Sequence, residues 1–197
     1  VQDFDGYKVM PGDIKYKDLN HDGVIDSNDQ APIGYNPVPE MTFSLAAGLN
    51  WKGIDFSILL QGAARSSIYL QQDIAWDNFW GNYYEEHIGR WTPETAATAT
   101  YPRFTKAATA AHPNYYKSDY WLKDSKYLRL KNIQLGYTIP RKLLKKFGVR
   151  SLRVYANAYN LFTWDNVKKV DPESSKNSNG QFYPQQKVIN FGINLNF

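Results

Sequence analysis

The sequence has no cysteine, which removes disulfide frameworks, thiolate metal centres and cysteine nucleophiles. Histidine is scarce: the 3 imidazoles, His21, His87 and His112, share no zinc spacing and read as solvent-exposed side chains. No apolar run approaches the ~18 residues of a transmembrane helix, and mean hydropathy is −0.56. There is no phosphate-binding glycine loop and no nucleophile elbow. Charge of one sign is also lacking: 23 Lys and Arg against 19 Asp and Glu leave a net +4, which calls for no nucleic-acid partner. The opening Val1-Gln-Asp-Phe-Asp5 is polar and is no signal peptide, so a mature chain or a piece of a longer one is expected.

Aromatic residues are plentiful. Tyr 15, Phe 10 and Trp 6 in 197 residues outnumber the Lys and Arg. Tyr and Trp suit a boundary between an apolar and a wet phase, as at a bilayer or a sugar-binding surface. A tyrosine-rich soluble β core is the plainer alternative.

Five segments alternate with a period of 2 and predict strands. In 41–51, Phe43, Leu45, Ala47, Leu49 and Trp51 share one face, with Thr42, Ser44, Ala46, Gly48 and Asn50 on the other. Lys52-Gly53 signals a tight turn into a second strand over 54–62. The third, 127–138, changes phase near Asn132, as a β-bulge would make it. Pro140 stops it, and 141–148 reads as a short amphipathic helix closed by Gly148, with Arg141, Lys142, Lys145, Lys146 and Arg150 on a solvated face. The fourth covers 151–162. The fifth, 187–197, sets Ile189, Phe191, Ile193, Leu195 and Phe197 against Val188, Asn190, Gly192, Asn194 and Asn196. Residues 1–40 and 163–186 read as loop, and 63–126 has no sustained period, with short helical turns expected around 70–90.

The connections alternate short, long, short, long. In an up-and-down meander this trims one rim and loads the other with large loops, the asymmetry of outer-membrane barrels. Strands of roughly 9–12 residues match a tilted bilayer crossing. Asn and Gly on one face suit a wet lumen, while Phe, Ile and Leu suit lipid. Five strands cannot close a barrel, and an open sheet in lipid leaves backbone groups unpaired. The expected fold is therefore all-β: an antiparallel meander within a large transmembrane β-barrel, with long external loops containing short helices.

Several motifs occur together and in order: Pro11-Gly-Asp-Ile-Lys-Tyr-Lys-Asp-Leu-Asn-His-Asp-Gly-Val-Ile-Asp26, Gly34 with Pro37 and Pro39, Arg90-Trp-Thr-Pro-Glu94, Tyr101-Pro-Arg103, Tyr127-Leu-Arg-Leu-Lys-Asn-Ile-Gln-Leu-Gly-Tyr137, Leu152-Arg-Val-Tyr155, Asn160-Leu-Phe162 and the final Asn-Phe-Gly-Ile-Asn-Leu-Asn-Phe197. Over nearly the whole chain they resemble the C-terminal end of the SusC/RagA family of TonB-dependent outer-membrane transporters of Bacteroidota. The resemblance implies a barrel of about 22 strands with an N-terminal plug, and residues 1–197 as its C-terminal segment, plug and earlier strands lying outside. It implies import of glycans or peptides, driven by TonB through the N-terminal part and shared with a SusD-like surface lipoprotein. The location implied is the outer membrane, with the C-terminus periplasmic and the strands against outer-membrane lipid.

Asp18, Asn20, Asp22, the Val24 carbonyl, Asp26 and Asp29 fall at positions 1, 3, 5, 7, 9 and 12 of a calcium loop, with Gly23 at position 6. Asp replaces the usual Glu at position 12. The loop is expected to hold a structural calcium ion, or else to be an Asp/Asn-rich turn held by its own hydrogen bonds. Trp76, Phe79, Trp80, Tyr83, Tyr84 and Trp91 are the candidate residues for contact with ligand or lid; packing of the long loop on itself is the other reading. Asp73, Asp77, Glu85 and Glu86 have the residue types of a glycosidase pair but no spacing that defines one, so no enzyme is expected. The competing architecture is a soluble, calcium-stabilised β-sandwich carbohydrate-binding module.

Overall fold

The structure is a computed structural model and describes residues 3–4, 7–106, 111–168, 170–174 and 183–197. The chain forms two compact units. One gathers residues up to Gly34 with 69–123; the other gathers 35–68, 124–174 and 183–197.

The second unit is the predicted sheet. Its strands are β1 (Met41–Trp51), β2 (Ile54–Ala64), β3 (Tyr127–Thr138), β4 (Ser151–Asp165) and β5 (Val188–Asn196). They lie in sequence order, each antiparallel to the next. Lys52 and Gly53 both have positive φ, 48° and 88°, the two left-handed residues of a tight hairpin turn whose twist matches the strands. The phase change in β3 is a bulge: Leu130 pairs Phe162 and Asn132 pairs Tyr159, so Lys131 is skipped. The skip returns Leu128 and Leu130 to the face of Ile133, Leu135 and Tyr137.

Two boundaries differ from expectation. β2 runs on to Ala64 and β4 to Asp165, because Thr163, Trp164 and Asp165 pair Arg129, Leu128 and Tyr127. Trp164 keeps the apolar face, but Thr163 and Asp165 lead into an Asn-rich stretch and read as the start of a loop. After Pro140, Arg141–Leu144 is one α-helical turn and Lys145–Phe147 a 3-10 turn, capped by Gly148 at φ 67°. Leu144 is buried and holds this helix, α1 with its 3-10 extension, to the sheet.

The register carries one face across all five strands. Phe43, Gly62, Leu128 and Trp164 form one row, and Trp51, Ile54, Tyr137, Val154 and Ile193 another. The side chains between these rows are apolar and many stand open: Leu45 is 62%, Leu49 61% and Phe191 83% exposed. Eleven residues at about 3.3 Å each, tilted by roughly 40°, rise roughly 28 Å, the height of the hydrocarbon band. The aromatic rows stand at its two borders, where indole and phenol rings favour the headgroup level.

The opposite face is polar and of low relief. Asn190 Nδ2 donates to Asn157 Oδ1 at 3.0 Å and Asn196 Nδ2 to Ser151 Oγ at 2.7 Å. Arg153 reaches Asp55, Nε to Oδ1 at 2.9 Å, across Gly136, where any side chain would collide with the pair. The Arg153 guanidinium also lies over the Tyr155 ring, 4.7 Å from its centroid. β1 and β5 are the outermost strands, and each has one neighbour in the described sheet.

The first unit is the long loop, built on 3-10 turns at Gln72–Ile74, Glu85–Gly89 and Pro113–Tyr115. The first two match the helical turns expected around 70–90. Its core is aromatic: Trp76, Tyr101, Tyr115 and Trp121 are each at most 5% exposed.

Candidate functional site

The aromatic cluster divides by depth. Trp76 is buried against Tyr115 and Phe79, at centroid distances of 4.8 and 5.7 Å. It packs the loop from within. Trp80 is 83% and Tyr83 56% exposed, with Tyr84 at 38%. Trp91 lines an open groove of about 570 Å³ together with Lys15, Thr100, Asp119 and Tyr120. Gly12, at φ 88°, leaves room there for the indole. Burial pushes the Tyr120 hydroxyl up to about 12, so it stays a donor, to the Thr100 carbonyl at 3.0 Å. The six aromatics of the sequence pattern therefore do not form one surface: Trp80 and Tyr83 face solvent, Trp91 a groove, and Trp76 the core.

Asp77 is fully buried. It accepts from the Tyr115 hydroxyl, from Tyr101 Oη at 3.3 Å and from the Thr105 amide at 3.0 Å. Burial, then the neighbouring carboxylate, drives both tyrosine hydroxyls far above their ordinary range. Phenols held protonated are permanent donors, which suits a buried carboxylate. Asp77 is thus sealed from any substrate, and its role is structural.

His21 is exposed as expected, but His87 and His112 are not. His87 is 2% exposed; its Nδ1 accepts from the Tyr84 amide at 3.0 Å and its Nε2 faces the Ala75 carbonyl at 3.2 Å. His112 is half-buried beside Tyr7 Oη at 3.0 Å, and burial lowers its pKa. Both sit among rings and carbonyls contributed by distant segments, which local sequence does not reveal. Asp13 ties the N-terminal stretch to the rest of the unit: it accepts Arg103 Nε at 2.6 Å, Asn114 Nδ2 at 3.0 Å and the Met10 amide at 2.8 Å.

The 18–29 loop is held by its own side chains. Asp18 accepts from the amides of His21 and Gly23, Asn20 from Asp22, Asp22 from Val24, Asp26 from Asn28, and Asp29 from Leu19 and Asp26. Gly23 takes φ 86° as position 6 requires. Amides aimed at Asp29, first Asp26 and then Leu19, hold its carboxyl below the usual carboxylate range. Among the described residues, no three acidic or imidazole groups stand together as a cluster; the spacing and the glycine are those of a calcium loop, with the carboxylates turned onto the loop's own amides.

A second ordered site, unforeseen in the sequence, lies on the polar side of the sheet. Arg129 is 2% exposed. Its Nη2 meets Asp171 Oδ1 at 2.7 Å, its Nη1 meets Glu173 Oε2 at 3.0 Å, and its Nε donates to Thr163 Oγ1 at 2.9 Å. Lys131, the bulge residue, reaches Glu173 at 3.0 Å and Gln185 Oε1 at 3.1 Å. Burial raises the Asp171 pKa, but Arg129 and the amides of Gln185 and Glu173 outweigh it, and the net shift is downward. The cluster pins the segment after β4 to the sheet. An arginine between Leu128 and Leu130 in an alternating strand was the available signal, because a charge there must find partners.

No protein-family model matches the sequence. The chain is 30% identical over 203 residues to TonB-dependent receptor P26 of Formosa agariphila, covering 94% of this chain and 20% of that protein. It is 27% identical to TonB-dependent receptor P3 of the same organism (95% and 19%) and 26% identical to TonB-dependent receptor SusC of Bacteroides thetaiotaomicron (95% and 18%). The chain thus spans about a fifth of the length of these curated relatives. Among solved structures it superposes on the RagAB peptide transporter with a TM-score of 0.69 at 22% identity, covering 88% of this chain and 19% of that one. The open-open state of the RagAB peptide importer gives 0.67 at 23% (89% and 19%). The superpositions establish the fold, and the sequence relatives the kinship. Five strands with one greasy and one wet face, in a chain so related, match a stretch of a transmembrane β-barrel, and over nearly all of its length the chain is homologous to TonB-dependent receptors, SusC among them.

Proposed function

We propose that this chain is the C-terminal part of an outer-membrane nutrient importer. It works only with the strands and plug of the rest of the protein, with TonB as energy source and a SusD-like lipoprotein over the external mouth. The long loops face outward and the C-terminus faces the periplasm. The cargo is a glycan or a peptide. The observation that carries the reading is the apolar face running without interruption over β1 to β5, backed by a face rich in amides, hydroxyls and paired charges. A soluble carbohydrate-binding module would have to cover that apolar face, and the described residues do not.

Ile189→Arg in the whole protein places a cation on this face, in the row of Ala47, Ile58 and Ile133 midway between the two aromatic rows, and is expected to cost about 2–4 kcal/mol. The loss of heat-resistant barrel on electrophoresis measures it; an unaltered barrel rejects the face assignment. Transport itself is read by uptake of labelled oligosaccharides and oligopeptides in cells with and without the gene. Import that stops when the gene or TonB is removed supports the proposal, and unchanged uptake of both classes overturns it.

We further propose that the 18–29 spacing serves calcium, closing the loop around the ion rather than supplying chemistry. Millimolar calcium is then expected to slow tryptic cleavage at Lys17 in the whole protein, and Asp22→Ala to abolish the effect. Equal cleavage with calcium and with chelator leaves the loop as a self-bonded turn.

A further inference from the structure

The turn between β3 and β4 has more on its surface than a connection needs. From Arg141 to Arg150 every residue is exposed except Leu144 and Val149, the first of them buried. Five of the exposed residues are cations: Arg141, Lys142, Lys145, Lys146 and Arg150. No acidic residue lies between Thr138 and Asp165, and among the described residues none of the five makes an ion pair. Two are large and apolar: Leu143 is 65% and Phe147 75% exposed. They are four residues apart, hence on one side of the turn. Leu144 faces away from them into the protein and fixes the helix to the sheet.

Cations flanking an exposed aliphatic and an exposed aromatic residue mark an element lying in a membrane interface, with apolar groups in the acyl boundary and bases among phosphates. The position agrees. Arg141 follows Tyr137 by four residues, and Tyr137 belongs to the aromatic row with Trp51 at this border of the apolar face. Trp51 is 58% exposed and carries Lys52 over its ring at 4.9 Å, which repeats the pairing of ring and cation. Water alone gives no reason for Leu143 and Phe147 to stand open, and five cations without an ion pair among the described residues call for an anionic cover.

We propose that the 141–150 turn is an interfacial anchor: Leu143 and Phe147 enter the leaflet at the short-turn rim, and the five bases bind the phosphates of anionic phospholipid. The anchor fixes the depth of β3 and β4 in the bilayer. The inference rests on the barrel reading above, and its test separates the two. This chain contributes no cysteine, so Phe147→Cys in the whole protein, with cysteines elsewhere replaced by serine, takes a single environment-sensitive fluorophore. A second labelled variant, Phe191→Cys, reports on the face of β5. Both are reconstituted in nanodiscs with and without anionic phospholipid and are quenched by doxyl-lipid or by aqueous iodide.

Position 147 is expected to be quenched by doxyl-lipid and shielded from iodide, and to shift several-fold toward iodide when anionic lipid is omitted or when Lys142, Lys145 and Lys146 are all changed to Glu. Iodide quenching at 147 with doxyl quenching at 191 overturns the anchor and leaves the barrel intact. Shielding from both quenchers at 147 identifies a protein cover and likewise overturns it. Loss of doxyl quenching at 191 defeats the barrel reading itself. If Phe147→Cys does not assemble, Leu143→Cys reports on the same side of the turn.

Discussion

Replacing Arg129 with Met is expected to cost about 3–5 kcal/mol, the penalty for removing one partner of a buried ion pair. Asp171 and Glu173 have side chains only 7% and 15% exposed, and of the neighbouring cations Lys131 alone would remain to them. The loss falls first on the segment after β4, which the cluster holds down, so local opening precedes global unfolding. Tryptic cleavage at Lys168 is expected to accelerate steeply, with a smaller fall in the thermal midpoint of the whole protein. Removing the stranded charges as well, by adding Asp171→Asn and Glu173→Gln to Arg129→Met, is expected to recover much of the loss. Cleavage at the wild-type rate in Arg129→Met would refute the account of how that segment is held.

Asp77→Ala is expected to be as damaging to the loop unit, about 3–5 kcal/mol. The change strands the part-buried Thr105 amide, worth about 1–3 kcal/mol, leaves the Tyr115 hydroxyl with Thr105 Oγ1 alone at 2.9 Å, and leaves a void beside Trp76 and Tyr101. The Tyr101 hydroxyl keeps the Ala75 carbonyl as an acceptor at 2.9 Å, so it is not counted. Asp77→Asn retains one oxygen but turns an NH2 group toward the Thr105 amide, and should recover only part. Hydrogen exchange at Thr105 measures the effect; undiminished protection in Asp77→Ala would show that the carboxylate does not organise the loop.

The strands were legible because alternation is a local property. Phe43 to Trp51 and Ile189 to Phe197 announce their faces within a few residues, and the phase change near Asn132 located the bulge at Lys131. The parity of loop lengths then gave the barrel. The loop unit was not legible in the same way. Its organising contacts join Asp13 to Arg103, Tyr7 to His112 and Asp77 to Tyr115, across separations of 90, 105 and 38 residues. Pairs so distant leave no period, so His87 read as a surface residue, and nothing local separated Trp76, a core ring, from the exposed aromatics near it. The 18–29 loop lies between these cases: its spacing was plain, and its side chains close on backbone amides. The extension of β4 to Asp165 was missed because Thr163 and Asp165 are polar on the wet face, where polarity carries no information about strand or loop.

The outermost ribbons, Met41–Trp51 and Val188–Asn196, each have half of their amides and carbonyls without a partner in the described sheet. In hydrocarbon such groups must be satisfied by another polypeptide stretch. The relatives are about five times as long as this chain, so the stretch that zips onto Val188–Asn196 can lie many hundreds of residues away in sequence. Closing so large a ring carries an entropic cost that grows as the logarithm of its size, and non-local pairing is slow. Pairing of these two borders is thus expected to be slow, and until both are paired the hairpins between them depend on whatever machinery shields them.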